Sequence, residues 1–205
     1  SSGAISLTEN YLIKINRRLI LYQLDFFNLV KDKKSKILDI GCGFGYFLKF
    51  LFKKNYKNII GIDPDKNLLK TIPKKIKTYA CYGNKTKFRN NSFDVIFVYG
   101  VLHHLHGDRE YCEVVNEIYR ILKPNGYLLV HVPNHFPIWG RLKFLFTNNI
   151  DTFSYFPSSD RHDFPHIRFF TLSSMKNLLK NNDFRGQTLQ NCPSEMQRVV
   201  TSVPR

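Results

Sequence analysis

Residues 37–45 read Ile-Leu-Asp-Ile-Gly-Cys-Gly-Phe-Gly, and no other stretch restricts the fold as strongly. A short apolar run that stops at glycines is the pattern of a parallel strand buried on both faces, ending in a tight turn. The same rhythm recurs downstream. Residues 58–62 read as a second strand, 76–80 as a third, 93–99 as the fourth and clearest, and 127–132 as a fifth. Helical stretches fill the gaps at 46–52, 65–71 and 108–122. Asp108 is the expected N-cap of the last, and Lys123-Pro124-Asn125-Gly126 its stop. Strands alternating with helices at this spacing predict an α/β fold with a doubly wound, mostly parallel Rossmann-like sheet.

Both flanks depart from that rhythm. Leu12, Ile15, Leu19, Tyr22, Phe26 and Val30 recur at gaps of three and four, which predicts an N-terminal helix over 7–30. After Pro133 the alternation stops. Residues 134–170 are rich in aromatics, among them Phe136, Trp139, Phe144, Phe146, Phe153, Tyr155 and Phe156. So long an interruption in a compact domain is expected to serve as a lid or substrate wall. A helix from Thr171 to about Asn181, then a strand pair at 184–190 and 197–203, would close a single domain of 1–205 with its core at 36–133.

Length and composition narrow the function classes. A chain of 205 residues suits one such domain. No apolar run approaches the roughly 20 residues that cross a bilayer. Cys42, Cys81, Cys112 and Cys192 are scattered, without a CxxC pair or metal-ligand spacing. Reduced thiols and a cytoplasmic location are therefore expected, with no metal site. Lys and Arg number 31 against 16 Asp and Glu, a net charge of +15. That excess suits an acidic small molecule, a nucleic acid or an anionic surface. The cations are spread along the chain, at Lys31, Lys33, Lys34, Lys53, Lys54, Lys74, Lys75, Lys77, Lys85 and Lys87. Such spreading favours solvated loop charge over a nucleic-acid footprint.

The glycine loop carries the chemistry. In open α/β sheets ligands bind outside the carboxyl ends of the strands, where Gly41, Gly43 and Gly45 fall. Their spacing is G-x-G-x-G, not the G-x-G-x-x-G of dinucleotide sites. Asp39 stands before them. A carboxylate there repels a pyrophosphate but suits a ligand end bearing an ammonium group, as in the methionyl moiety of S-adenosylmethionine. Asp63 closes the second strand 24 residues on, near the spacing of an acid that accepts from ribose hydroxyls.

Residues 37–51, Gly61-Ile62-Asp63, Asn91-Ser92-Phe93-Asp94-Val95, Val101-Leu102-His103-His104-Leu105 and residues 117–129 together resemble the class I S-adenosylmethionine-dependent methyltransferases. The likeness is greatest to the small-molecule, ubiquinone-pathway-like group with its seven-stranded sheet. It extends over residues 36–184 and includes Arg120-Ile121-Leu122-Lys123-Pro124-Asn125-Gly126. The resemblance implies that Asp39 and the Gly41–Gly45 backbone, Cys42 included, hold the methionyl end. It implies Asp63 with Pro64 at the ribose, and Tyr99 and Gly100 beside the cofactor at the end of the fourth strand. The adenine position usually carries Gly-Asp. Here it reads Gly83-Asn84-Lys85, and the Asn amide can still match the adenine edge.

Methyl transfer is a displacement at carbon, so a base is needed only when the attacking atom must lose a proton. His104, then His103, are the candidates after the fourth strand. Packing and loop capping are the competing roles for both. His135 and His166 flank the aromatic stretch and suit orienting the substrate, with loop packing the favoured competing role, while Arg161, His162 and Arg168 suit attracting an acidic group on the acceptor. The expected acceptor is a small molecule methylated on O or N. An RNA methyltransferase is the alternative, and a non-catalytic cofactor-binding module a third. The Asn/Asp-Pro-Pro-Tyr/Phe box of exocyclic-amine methylation is absent where Tyr99-Gly100-Val101-Leu102 stands. Cys192-Pro193 has the wrong order and place for a cytosine-C5 nucleophile.

Overall fold

The computed structural model describes residues 26–27, 29–105, 107–133, 172–181, 184–191 and 196–202. Its centre is β1 (Ile37–Ile40), buried at all four positions, beside β2 (Ile59–Asp63), buried at all five. Continuous apolar runs of this kind are stable only with both sheet faces covered. The outer strand is β3 (Lys77–Ala80), while β4 (Phe93–Tyr99) and β5 (Leu122–Pro133) extend the sheet the other way. These five run parallel in the order β3-β2-β1-β4-β5. The strand order reverses between β1 and β4, so their carboxyl ends open the crevice where such folds bind ligands. Beyond β5, β7 (Met196–Ser202) pairs antiparallel with it, and β6 (Arg185–Asn191) with β7.

Strand alternation sorts the side chains into two cores. Leu38, Ile40, Ile96 and Val98 pack with Val114, Val115 and Ile118 of one helix and with Met175 and Leu179 of another. Ile37, Val95 and Phe97 pack on the opposite face with Phe47, Leu48, Leu51, Phe26 and Tyr56. The first face is thus covered by α3 (Gly107–Ile121) and α4 (Leu172–Asn181), the second by α1 (Tyr46–Lys53). The short α2 (Lys66–Leu69) lies between β2 and β3.

Element boundaries shift where local chemistry competes with pattern. Asp108 lies inside the first turn of α3 and does not cap it, since the helix begins at Gly107. Its charge still favours the positive end of the helix. That helix ends at Ile121, because Leu122 already pairs with Phe93. The expected stop, Lys123-Pro124-Asn125-Gly126, is carried as an irregular opening to β5, whose regular ladder starts at Tyr127. Asn125 there takes a left-handed φ of 60°. The helix expected at 65–71 shortens to α2, with Asp65 outside it as N-cap, accepting from the Asn67 N–H at 2.7 Å.

Of the expected N-terminal helix, Phe26, Phe27 and Leu29 are helical, Val30 lies just past the helix, and the rest lies outside the described residues. The aromatic stretch 134–170, with His135, Arg161, His162, His166 and Arg168, lies outside them too. Among the described residues no helix is long and apolar enough to cross a membrane, and no His, Cys, Asp and Glu cluster could hold a metal ion.

Candidate active site

The three loop glycines share a left-handed backbone but differ in surroundings. Gly41, Gly43 and Gly45 have φ of 70°, 51° and 67°, which side-chain-bearing residues rarely adopt. A Cβ on Gly41 would stand 2.2 Å from Val101 Cγ2, and one on Gly45 would stand 2.6 Å from Ile72 Cδ1. These two glycines let the loop pack on the β4 exit and on the chain after α2. A Cβ on Gly43 would meet nothing within 4 Å. Of the three glycines, to all of which the sequence assigns close ligand approach, only Gly43 has open space on its Cβ side. The turn is held by backbone bonds from the Gly41 and Cys42 N–H groups to the Ile62 carbonyl, 2.8 and 3.0 Å. Cys42 points its thiol into the core against Gly61, so only its main chain can face a ligand. Burial, then the nearby Asp39 and Asp63, push that thiol far above its ordinary range.

Two acids flank this loop. Asp63 is buried (8% exposed), and its carboxylate is already engaged. One oxygen accepts from the Gly43 N–H and the other from the Asp65 N–H, each at 2.9 Å. A carboxylate offers about four lone-pair positions, so acceptor capacity for ribose hydroxyls remains. Asp63 therefore shapes the glycine loop as well as facing the crevice. Asp39 is 3% exposed, one residue short of the end of β1. Among the described residues no cation or hydrogen-bond donor meets its carboxylate. Burial first, then the Asp63 charge, holds its pKa well above the ordinary carboxylate range. A buried acid of this kind fits a cationic ligand group.

A pH dependence follows from this shift. Asp39 binds its proton more tightly folded than unfolded. Its contribution to stability therefore falls as pH rises from the ordinary carboxylate range toward the raised folded value. A cation arriving at Asp39 displaces that proton. Affinity for S-adenosylmethionine is expected to rise with pH across the same window, by up to about ten-fold per pH unit. Calorimetric titrations over pH would show the slope, and Asp39→Asn should flatten it. A flat wild-type profile would show that Asp39 does not meet the ligand's cation.

The β4 exit supplies the other wall. Gly100, at φ 67°, donates its N–H to the His131 carbonyl at 3.0 Å. Tyr99 stacks on the His131 ring, with centroids 4.3 Å apart and planes 5° apart. His131 was not singled out from sequence. Register could have found it, since it stands opposite Tyr99 across β4 and β5. His103 and His104 sit on a 3-10 turn over Leu102–His104, their rings 4.0 Å apart. His103 is 4% exposed, whereas His104 is half-buried. Pro64 and Lys85 are exposed. Asn84 turns its amide donor to Glu113 of α3, at 2.9 Å, so that donor is drawn toward the helix.

The methyltransferase domain family matches residues 11–189. The chain belongs to that family. Asp39 offers a carboxylate to a cation, Asp63 acceptor capacity to hydroxyl groups, and Gly43 room for close approach, a set that suits S-adenosylmethionine. The chain is 38% identical over 102 residues to an uncharacterised protein of Methanocaldococcus jannaschii, spanning 50% of this chain and 42% of that protein. It is 29% identical over 106 residues to a probable tRNA methyltransferase 9B of Mus musculus, spanning 50% of this chain and 23% of the mouse protein. The chain thus spans less than half the length of either relative. An S-adenosylmethionine-dependent methyltransferase from Archaeoglobus fulgidus shares the fold with a TM-score of 0.67 and 16% identity, over 91% of this chain and 94% of that one.

Proposed function

We propose that this chain transfers the methyl group of S-adenosylmethionine to an oxygen or nitrogen atom of an acceptor entering the β1–β4 crevice. One observation carries the reading. The buried Asp39, the open Gly43 and the engaged Asp63 converge at the switch point of the sheet. In this reading Asp39 and the Gly41–Gly45 backbone receive the methionyl end, and Asp63 accepts from the ribose. Asn84, with Lys85, borders the adenine, and Pro64, Tyr99 and Gly100 line the remaining walls. Bound S-adenosylmethionine supplies an electrophilic methyl on a sulfonium leaving group. The chain contributes alignment and exclusion of water. His104, the more accessible of the pair, takes a proton when the attacking atom carries one, and His103 orients it. A seven-stranded sheet, with the N-terminal helix and residues 134–170 as a lid over the crevice, completes a single domain.

For the acceptor, two observations favour RNA. The mouse relative is named as a probable tRNA methyltransferase. The cations that look scattered in sequence also include an exposed group along the β3 edge, which runs up to the cofactor end of the sheet. The resemblance to the ubiquinone-pathway group supports a second reading, a small molecule bearing an acidic group. Calorimetry with S-adenosylmethionine and its homocysteine product, followed by tritium transfer to total RNA or to a small-molecule extract, tests the sequence of claims. Micromolar cofactor binding and label in RNA are expected. Label confined to small molecules would overturn the RNA acceptor, and no cofactor binding by folded protein would overturn the transfer itself.

A further inference from the structure

Residues 66–93 hold Lys66, Lys70, Lys74, Lys75, Lys77, Lys85, Lys87 and Arg89 and not one Asp or Glu. This acid-free run forms one flank of the structure: α2, the outermost strand β3 and the loop that follows it. Among the described residues β3 pairs with β2 alone. Lys74, Lys75, Lys77, Lys85, Lys87 and Arg89 are all exposed, and none forms an ion pair with a described carboxylate. Glu113 lies near enough to Lys85 to feel its charge but is already held by Arg109 and Asn84.

Two ring contacts bring the separate basic segments together. Tyr79 of β3 meets Phe88 of the loop edge-on at 5.9 Å, and Phe88 meets Phe93 in the same way at 4.9 Å. From behind, α3 fastens the loop through Glu113 to Asn84, Glu117 to Thr86, and Arg120 to Asn90. Glu113 and Glu117 are thus spent on the inner side of the loop, while Lys87 and Arg89 are exposed. Tyr79 and Tyr82 remain 49% and 62% exposed on this flank. Lys77 and Tyr79, two residues apart, stand on the same face of the strand. Cations that track a phosphate chain, interleaved with exposed rings on which bases stack, are the two components of a single-strand binding surface.

We infer that the β3 edge and its following loop form a docking ridge for single-stranded RNA, leading to the cofactor crevice. The inference rests on the RNA reading of the acceptor and deepens it. Ala80 stands opposite Asp63 in the β2–β3 register, so Tyr82 lies just past the cofactor end of the sheet. An RNA strand running along the ridge reaches the cofactor end of the sheet on the side proposed for the adenine, and from there passes β2 to the β1–β4 crevice. A membrane surface fits less well. The exposed large hydrophobics among the described residues are all tyrosines, Tyr46, Tyr79 and Tyr82, with no aliphatic wedge for acyl chains.

The test is fluorescence anisotropy with labelled oligouridylate over a salt series, using the whole chain. Lys74→Gln/Lys77→Gln/Lys87→Gln is compared with Lys31→Gln/Lys34→Gln/Lys53→Gln, which removes equal charge elsewhere. The ridge variant is expected to bind roughly ten-fold or more weakly, with the salt slope shallower by about 2, while the control stays near wild type. Tyr79→Ala and Tyr82→Ala should each weaken binding by about ten-fold with the slope unchanged. Unaltered S-adenosylmethionine binding checks that each variant is folded. Equal losses in ridge and control variants would overturn the ridge while leaving the RNA reading standing. Wild type without salt-dependent RNA binding would overturn both. Wild-type binding to phosphatidylserine vesicles that is lost in the ridge variant, with RNA binding unaffected, would reassign the surface to lipid and overturn the inference.

Discussion

Asp63→Ala is expected to weaken S-adenosylmethionine binding by roughly 100-fold or more and to lower thermal stability as well. The carboxylate accepts from the backbone N–H groups of both Gly43 and Asp65. Hydrogen bonds to charged acceptors contribute about 1.5–3 kcal/mol each, and losing the acceptor leaves two part-buried donors unsatisfied. Truncation therefore loosens the glycine loop and removes the group offered to the ribose. Asp63→Asn separates these effects, because its single carbonyl oxygen can satisfy one N–H while its amide opposes the other. It should fall between wild type and alanine in melting temperature, yet remain poor in cofactor binding. Calorimetry and thermal melts on the three proteins decide the point. Cofactor binding by Asp63→Ala within a few-fold of wild type would show that this acid does not serve the ligand.

Gly41→Ala and Gly43→Ala should fail in opposite ways, although they lie two residues apart in one loop. At Gly41 the added methyl would stand 2.2 Å from Val101 Cγ2, on a backbone at φ 70°. Left-handed strain costs about 1–2 kcal/mol and overpacking about 1–3 kcal/mol, so a stability loss of roughly 2–5 kcal/mol is expected. Adding Val101→Ala should recover the packing part and leave the backbone part. At Gly43 only the backbone term applies, because open space surrounds the new Cβ. Stability should fall by about 1–2 kcal/mol, while cofactor affinity falls far more because the methyl stands where the proposed ligand approaches. Denaturant melts paired with calorimetry separate the two. Equal destabilisation by both substitutions would contradict the difference in surroundings.

The parts of this protein legible in sequence are those set by local periodicity. β1 and β4 fall where their apolar runs predict them, because turn residues bound each run, Gly41 after β1 and Ser92 and Gly100 on either side of β4. The glycine loop with Asp39 and Asp63 was legible because left-handed turns and buried acids restrict residue type so narrowly. Boundaries set by competition were not. Pairing of Leu122 with Phe93 ends α3 and turns the expected Lys123-Pro124-Asn125-Gly126 stop into the irregular start of a strand.

By itself the sequence determined the alternating α/β plan, the loop that bends after β1, and the acids on either side of it. Each depends on interactions within a few residues or on a repeating pattern. Only the tertiary structure decided which glycine is open and which are packed, because Val101 and Ile72 reach the loop from distant segments. Only it drew Asn84 toward Glu113 and set His131 against Tyr99, across 29 and 32 residues. It also gathered Lys74, Lys77, Lys87 and two exposed tyrosines onto one edge, through the contact of Tyr79 with Phe88. Charge counted along a chain has no direction, and it acquires one when strands fix which residues share a face.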